Sequence, residues 1–536
     1  MSSWTEILLV LAAGTALALA LSRFVYLLHM LQLEEYDTRR FLQWILFHID
    51  RLVANPMLDL LGFLGVAMLF LRPESARLIA IACTLSMAVG LVGLAWERGL
   101  RARSPVKKAL VMTPRARRLL VCVGILTVGA CLASFAEQEE LGLAVALLLP
   151  FIAPLVLVVS HTIMEPLEAS IRDWYVRDAR KTLDRFSPTV IGITGSYGKT
   201  STKFITAHLL ESRYRVLMTP ESYNTAMGIC RVIRGQLGPE HEVFVVELAE
   251  NEKGGFEHLL SLVPCTISIV TSVGLQHLEE FGSEAVIRRV LQEFVNMPAS
   301  GSTVVLNGDD PVLAEVETIQ GKRLLRVSAG GSLACDLHAE GVVTSAEGLS
   351  FDIVTSHDER FGCQTMLLGR HNVENILLAV AVARELGVSW NAIRDGVATL
   401  QAPPHRLQMM AGSGGVRIID DAFNSNPAGF AMAMEVLAAC PPRRVLVTPG
   451  LVSLGDAEDF ENVQAGRRAA KAADVVILVG PKKTRPVREG LLSAGFPETS
   501  ILTVHSLEEV TGLMQSLLAS GDTVMFENDL PDTYNE

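Results

Sequence analysis

The chain is 536 residues long, half of them apolar, and carries 46 Lys and Arg against 58 Asp and Glu for a formal charge of −12. That length accommodates about three domains, and the acidic balance excludes nucleic acid as a main partner. Its eight cysteines form no C-x-x-C pair, which excludes a zinc ribbon and argues against a disulfide framework.

The apolar residues are concentrated before residue 163. Five stretches there have the roughly 20-residue length needed to cross a bilayer: Trp4 to Ser22, Leu52 to Leu71, Leu78 to Trp96, Leu119 to Phe135 and Leu141 to Ile163. Residues 1–163 therefore read as a transmembrane domain of about five helices, with membrane lipids as its partner. Between the third and fourth stretches, Arg98, Arg101, Arg103, Lys107, Lys108, Arg115, Arg117 and Arg118 face one acid, Glu97. Such a loop belongs on the cytoplasmic side, which places the N-terminus outside and everything after Ile163 inside a bacterial-type inner membrane. The segment "LEEYDTRRFLQWILFHIDR" carries Arg39, Arg40 and Arg51 among aromatic residues. It reads as an interfacial amphipathic helix or as a contact to lipid phosphate.

Residues 164–186 are charged and helical in pattern, a connector. Short apolar runs then alternate with helical stretches: "TVIGIT", "VFVVEL", "TISIVT" and "TVVLN". Such alternation indicates a mostly parallel sheet covered by helices. "SAGGSLACDLHAEGVVTSAEGLSFDIVT" reads instead as hairpins, an insertion or appendix. After Pro403-Pro404 a second series begins, with "GVRIID", "RRVLVTPG", "DVVILVG", "SILTVH" and "DTVMFEN". The expected fold is an α-helical membrane domain followed by α/β. The α/β part divides into a P-loop NTPase-type central domain at 187–402 and a Rossmann-like C-terminal domain at 403–536.

The central domain opens with "TVIGITGSYGKTSTKF", a strand, a glycine-rich turn and a helix start. In that order, backbone N–H groups and a lysine converge on an anion. The usual spacing G-x-x-x-x-G-K-[ST] would need glycine at 193, where this chain has Ile193; its glycines fall at 192, 195 and 198. Lys199 would lie against the β- and γ-phosphates, and the Thr200 hydroxyl would ligate Mg²⁺.

This spacing resembles that of the Mur ligase family, ATP-dependent amide-forming enzymes of cell-wall synthesis, and other segments agree in order over about residues 185–536. They are "ESYNTAMG", "VVELAEN", "SVGLQHLEEFGS", "GRHNVENILLA", "HRLQ" and "IIDDAFNSNPAG". The resemblance implies ATP and Mg²⁺ as cofactors, with Gly195, Ser196, Gly198, Lys199, Thr200 and Ser201 around the phosphates. Glu247 would bind the metal and His277 approach a second one. Adenine would contact the segment of His371, Asn372 and Asn375, and Arg406 and Asp421 would serve the nucleotide. Asn224 would lie beside the phosphate, with Asn424 and Asn426 near the acceptor. Lys199, Glu247 and His277 are the catalytic candidates. Other readings remain beside these: Asn372 as a helix cap, Asn424 and Asn426 as turn formers before Pro427.

Two features depart from the family pattern. The position of its carbamoylated lysine falls on Leu291, leaving Arg288 or Arg289 to supply charge. The family's N-terminal domain for the UDP part of its substrate is replaced by the apolar segments. The sequence thus indicates a membrane-anchored ligase that joins the carboxylate of an envelope precursor, possibly lipid-linked, to the amine of an amino acid or dipeptide. A poly-γ-glutamate synthase-type ligase and a transport-coupled P-loop NTPase are the alternatives.

Overall fold

The structure, a computed structural model, describes residues 3–48, 109–221, 223–249, 255–273, 295, 301–316, 321–332, 334–423, 425–452 and 454–529. The chain divides into two compact units, Met1–Arg172 and Asp173–Glu536.

In the first unit, three described helices contain stretches long and apolar enough to cross a membrane: Ala16–Leu33, Pro114–Glu137 and Leu148–Phe186. They correspond to the first, fourth and fifth expected segments. The second and third segments, and residues 97–108 of the basic loop, lie outside the described residues. The stretch expected as a separate connector continues the last helix, which runs unbroken from Glu139 to Phe186 despite Pro150, Pro154 and Pro166. The expected amphipathic helix forms at Thr38–Phe47, capped by the Asp37 side chain, which accepts from the Arg40 N–H at 2.7 Å. Phe41 and Trp44 point into this unit's core, while Leu42, Leu46 and Phe47 remain exposed. Arg118 clasps the buried Glu168 through two 2.7 Å bonds, the fork geometry that holds a carboxylate most firmly.

Among the described residues, the second unit contains two sheets. The first has nine strands: β1 (Thr189–Thr194), β2 (Val216–Met218), β3 (Val243–Glu247), β4 (Ile267–Val270), β5 (Thr303–Asn307), β6 (Arg323–Ser328), β7 (Leu337–Ser345), β8 (Gly348–Thr355) and β9 (Arg360–Thr365). Their order is β2-β3-β1-β4-β5-β6-β7-β8-β9, parallel as far as β7 and antiparallel from β7 to β9. The hairpins expected as an appendix thus extend the main sheet, joined by the parallel pairing of Val327 with Leu337 and Ser328 with His338. Helix His371–Glu385 is apolar on every face from Ile376 to Ala383, and that stretch is wholly buried, as such a run must be.

The second sheet has six strands: β10 (Gln408–Ala411), β11 (Arg417–Asp421), β12 (Arg444–Thr448), β13 (Val475–Val479), β14 (Ile501–Val504) and β15 (Thr523–Glu527). Their order is β10-β11-β15-β12-β13-β14, with only β10 antiparallel to its neighbour. The last strand therefore sits between β11 and β12, at the point where strand order reverses; open α/β sheets bind ligands at such points.

Against this sheet, helices Glu458–Ala472 and Arg485–Ser493 meet glycine to glycine. A Cβ on Gly466 would collide with the Val487 carbonyl and come within 3.0 Å of the Gly490 Cα. Gly466→Val should therefore force these helices apart and cost about 1–3 kcal/mol or more. Calorimetry of the full chain in detergent should show a lowered unfolding transition; an unchanged one would exclude this close approach.

Candidate functional site

β1 is buried along nearly its whole length because β3 and β4 flank it and helices cover it. It delivers residues 195–198 to the C-terminal edge of the sheet. Gly195 and Gly198 adopt φ of 135° and 78°, conformations that carry little strain only in glycine. Gly192 is required for another reason: a Cβ there would run into the Cys265 sulfur. The end of β4 pins the loop, since Ser196 N–H donates to the Ser272 carbonyl at 2.8 Å and Tyr197 N–H to the Ser272 hydroxyl at 3.1 Å. Helix Lys199–Glu211 begins at Gly198 without a side-chain cap. The N–H groups of Lys199, Thr200 and Ser201, in its first turn, lack intrahelical partners, so an anion is the natural cap.

Lys199 folds back over the loop and donates to the carbonyls of Gly195 (2.6 Å) and Ser196 (3.3 Å). Burial depresses its pKa; nearby Glu247 opposes that shift and Arg406 adds to it. Glu247 ends β3 and is only 2% exposed. Its Oε2 accepts from Thr200 Oγ1 at 3.0 Å and from Lys203 Nζ at 3.2 Å, and its Oε1 accepts from Asn224 Nδ2 at 3.2 Å. Thr200 and Glu247 thus form an all-oxygen pair beside the helix N-terminus. That donor set fits Mg²⁺, a hard cation that takes its other ligands from phosphate and water.

Asn372 and Asn375 are brought to the same loop from below. Thr202 Oγ1 donates to Asn375 Oδ1 (3.1 Å), Asn375 Nδ2 to Asn372 Oδ1 (3.0 Å), and Asn372 Nδ2 to the Leu368 carbonyl (2.7 Å). Asn372 is not the helix cap that its position suggested. The cap is Arg370, without a side-chain bond, and Asn372 turns its amide nitrogen back to the Leu368 carbonyl before the helix. His371 has a buried Nδ1 without a partner among the described residues; burial, and then Arg406, push its pKa down to about 4, so the ring is neutral.

From the second sheet come Arg406 and Asp421. His405 and Leu407 take positive φ values of 60° and 46°. Asp421 accepts from the Leu407 N–H at 3.1 Å, and Asp420 holds His405 Nδ1 at 2.7 Å. Arg406 lies over the Phe423 ring at 4.3 Å. Burial lowers its pKa while Asp421, and after it Glu247, oppose the shift. Asp421 is pushed up to about 6, chiefly by burial. Asn426 caps helix Pro427–Ala439, its oxygen accepting from Ala428 N–H (3.1 Å) and Gly429 N–H (2.9 Å), which leaves only its amide nitrogen for a substrate. His277, Arg288, Arg289, Leu291 and Asn424 lie outside the described residues.

Two site residues escape a motif-based reading. Lys203, one helical turn after Lys199, is fully buried against Glu247. Glu527 ends β15 as Glu247 ends β3, and that parallel was the available signal. It is wholly buried, accepting from the Ser425 hydroxyl and, at 3.0 Å, from Thr448 Oγ1.

Burial pushes Glu527 up to about 8, against its hydroxyl partners and with Asp421 adding to the rise. The folded chain therefore keeps a proton that the unfolded chain loses above its ordinary carboxyl range. This contribution to stability is full below about pH 4.5 and is lost as pH rises toward 8, at up to about 1.4 kcal/mol per pH unit. Glu527→Gln should remove that loss: its melting temperature relative to the parent should climb between pH 5 and 8. A constant difference would show that Glu527 is already ionised.

Comparison with known proteins adds lineage to this geometry. Residues 193–383 match the model of the Mur ligase middle domain, and residues 405–527 that of the Mur ligase glutamate ligase domain. Over 360 residues the chain is 30% identical to UDP-N-acetylmuramoyl-tripeptide–D-alanyl-D-alanine ligase of Escherichia coli, covering 65% of this chain and 75% of that protein. The protein of the same name from Mycobacterium tuberculosis is 33% identical over 364 residues, 63% of this chain and 69% of that protein. Among solved structures, the MurF ligase of Thermotoga maritima in complex with ADP shares the fold at TM-score 0.59 and 24% identity, over 68% of this chain and 81% of that one. A MurF crystal structure from Acinetobacter baumannii does so at 0.61 and 24%, over 67% and 78%.

Proposed function

The chain belongs to the Mur ligase family, and from that premise we propose which bond this ATP-dependent, amide-forming enzyme makes. It joins the terminal carboxylate of a peptidoglycan-precursor peptide to the amine of an amino acid or dipeptide. The relatives' name, a tripeptide–D-alanyl-D-alanine ligase, supplies the nearest chemistry for donor and acceptor. The observation that carries the reading is the convergence of Lys199, Thr200 and Glu247 on one uncapped helix N-terminus.

In this reaction the donor carboxylate attacks the γ-phosphorus, the bond to the bridging oxygen breaks, and ADP leaves an acyl phosphate. The amine then adds to the acyl carbon, loses a proton, and expels inorganic phosphate. Lys199 trades its two loop carbonyls for phosphate oxygens. The first-turn N–H groups receive the developing charge, and Arg406 faces it from the second sheet, so catalysis is positioning and charge neutralisation. Magnesium, held by Thr200 and Glu247, would supply further neutralisation of the β- and γ-phosphates when bound.

The three apolar helices support a finer reading: the first unit anchors the enzyme in the membrane, the catalytic unit faces the cytoplasm, and the carboxylate donor is lipid-linked. A bilayer-confined donor is presented at high effective concentration to an enzyme anchored beside it.

Purified in detergent, the full chain should release ADP only when donor and amine are both present, which separates a ligase from a transport ATPase. Lys199→Ala should reduce that release by about 10²–10³-fold or more without lowering the melting temperature; undiminished ligation by a folded variant would exclude the site. With lipid-linked and UDP-linked donors in parallel, the lipid-linked one should give the higher kcat/KM. Equal or better use of the UDP-linked donor would overturn the lipid assignment and leave the ligase intact.

A further inference from the structure

Lys203 lies in the helix that begins the phosphate loop, yet it has no place in the reaction described above. Its side chain is 0% exposed, a rare state for lysine, because removing an ammonium from water costs heavily unless it is paired and hydrogen-bonded. The spacing explains where it goes: four residues after Lys199 it falls on the same helix face, one turn deeper. There Nζ meets Glu247 Oε2 at 3.2 Å and donates to the Glu221 carbonyl.

Glu221 has a positive φ of 43° and opens the segment that carries Asn224. Asn224 in turn donates to the other oxygen of Glu247. One buried ammonium therefore fixes both the carboxylate and the backbone that delivers the carboxylate's second donor. With Thr200 on Oε2, both oxygens of Glu247 are oriented before any cation arrives.

We infer that Lys203 is a positioning residue that pre-sets Glu247, together with the Glu221–Asn224 segment, for the divalent cation of the nucleotide. It touches neither phosphate nor donor and acts through Glu247. The inference rests on the reading of Thr200 and Glu247 as the Mg²⁺ pair. It separates two properties that a merely structural lysine would move together: affinity for nucleotide, set by the loop and Lys199, and the extra affinity gained when a divalent ion is added.

The experiment uses the full chain in detergent with ADP as probe, titrated once in EDTA and once with Mn²⁺, whose binding is also read directly by electron paramagnetic resonance. Lys203→Met should lower Mn²⁺ affinity in the ADP complex by about tenfold or more, as loss of a ligand-orienting partner does. Its ADP affinity in EDTA should stay at the parent value. Asn224→Ala, at a half-buried position, should lose less in the same direction, and it decides the matter should the Lys203 variant fail to fold. Folded variants that keep the full Mn²⁺ increment, or that lose ADP binding equally with and without the ion, would overturn the inference. Glu247→Gln serves as control. If it abolishes the increment while Lys203→Met does not, only the role of Lys203 falls; if Glu247→Gln keeps the increment, the reading of the metal pair falls instead.

Discussion

The organisation of the site depends on one buried carboxylate. Glu247 sits at 2% exposure at the end of a central strand, where an unpaired charge would be untenable. The fold answers with donors from two directions: Thr200 and Lys203 from the phosphate-loop helix, and Asn224 from the segment before helix Ala226–Gln236. Each bond ties a separate stretch of chain to the same point. The loop, the helix start and the Asn224 segment are held together by the need to satisfy two oxygens. A carboxylate held this way has both of its oxygens oriented by the fold itself.

A second layer of polar groups supports the first. The chain from Thr202 through Asn375 and Asn372 to the Leu368 carbonyl couples helix Lys199–Glu211 to a helix whose next stretch, Ile376 to Ala383, is all apolar. Buried amides in such a relay must all be satisfied at once, so the register of helix His371–Glu385 against the loop is tightly specified. Across the site, the positive φ values on both sides of Arg406 hold its guanidinium over Phe423, and the Asp421 carboxylate pins the next N–H. Arginine, unlike lysine, stays charged in such a partly buried place.

Much of this was legible in the sequence where local chemistry dictates geometry. The strand–glycine–helix order at 189–200 marked the glycine-rich turn and the helix that follows it, and apolar runs ending in polar residues marked β1, β3, β11 and β15. What escaped was long-range. β2 has three residues and no pattern of its own. The hairpin β7–β9 declares its pairing with itself but not its attachment to β6, because a parallel edge leaves no local signature. Asn372 resembled a cap because asparagine before an apolar helix usually is one; its real partner is a carbonyl four residues back. Lys203 was invisible for a related reason: a lysine on an amphipathic helix is ordinarily solvent-facing, and only the three-dimensional position of Glu247 turns it inward.

The placement of β15 has a consequence for how this protein comes into being. The strand is the last of the six-stranded sheet in sequence and lies in its middle, paired on one side with β11 and on the other with β12. While the chain is emerging from the ribosome, β11 and β12 have no bridge, and the faces of helices that will cover them stay without a floor. Domains generally fold as units during synthesis, but this one cannot close until residue 527 is free. The strands of the nine-stranded sheet are complete in sequence by residue 365, and the helix buried against them by residue 385. The sheet that carries Asp421 therefore closes only once its last strand is made, well after the sheet that carries Glu247.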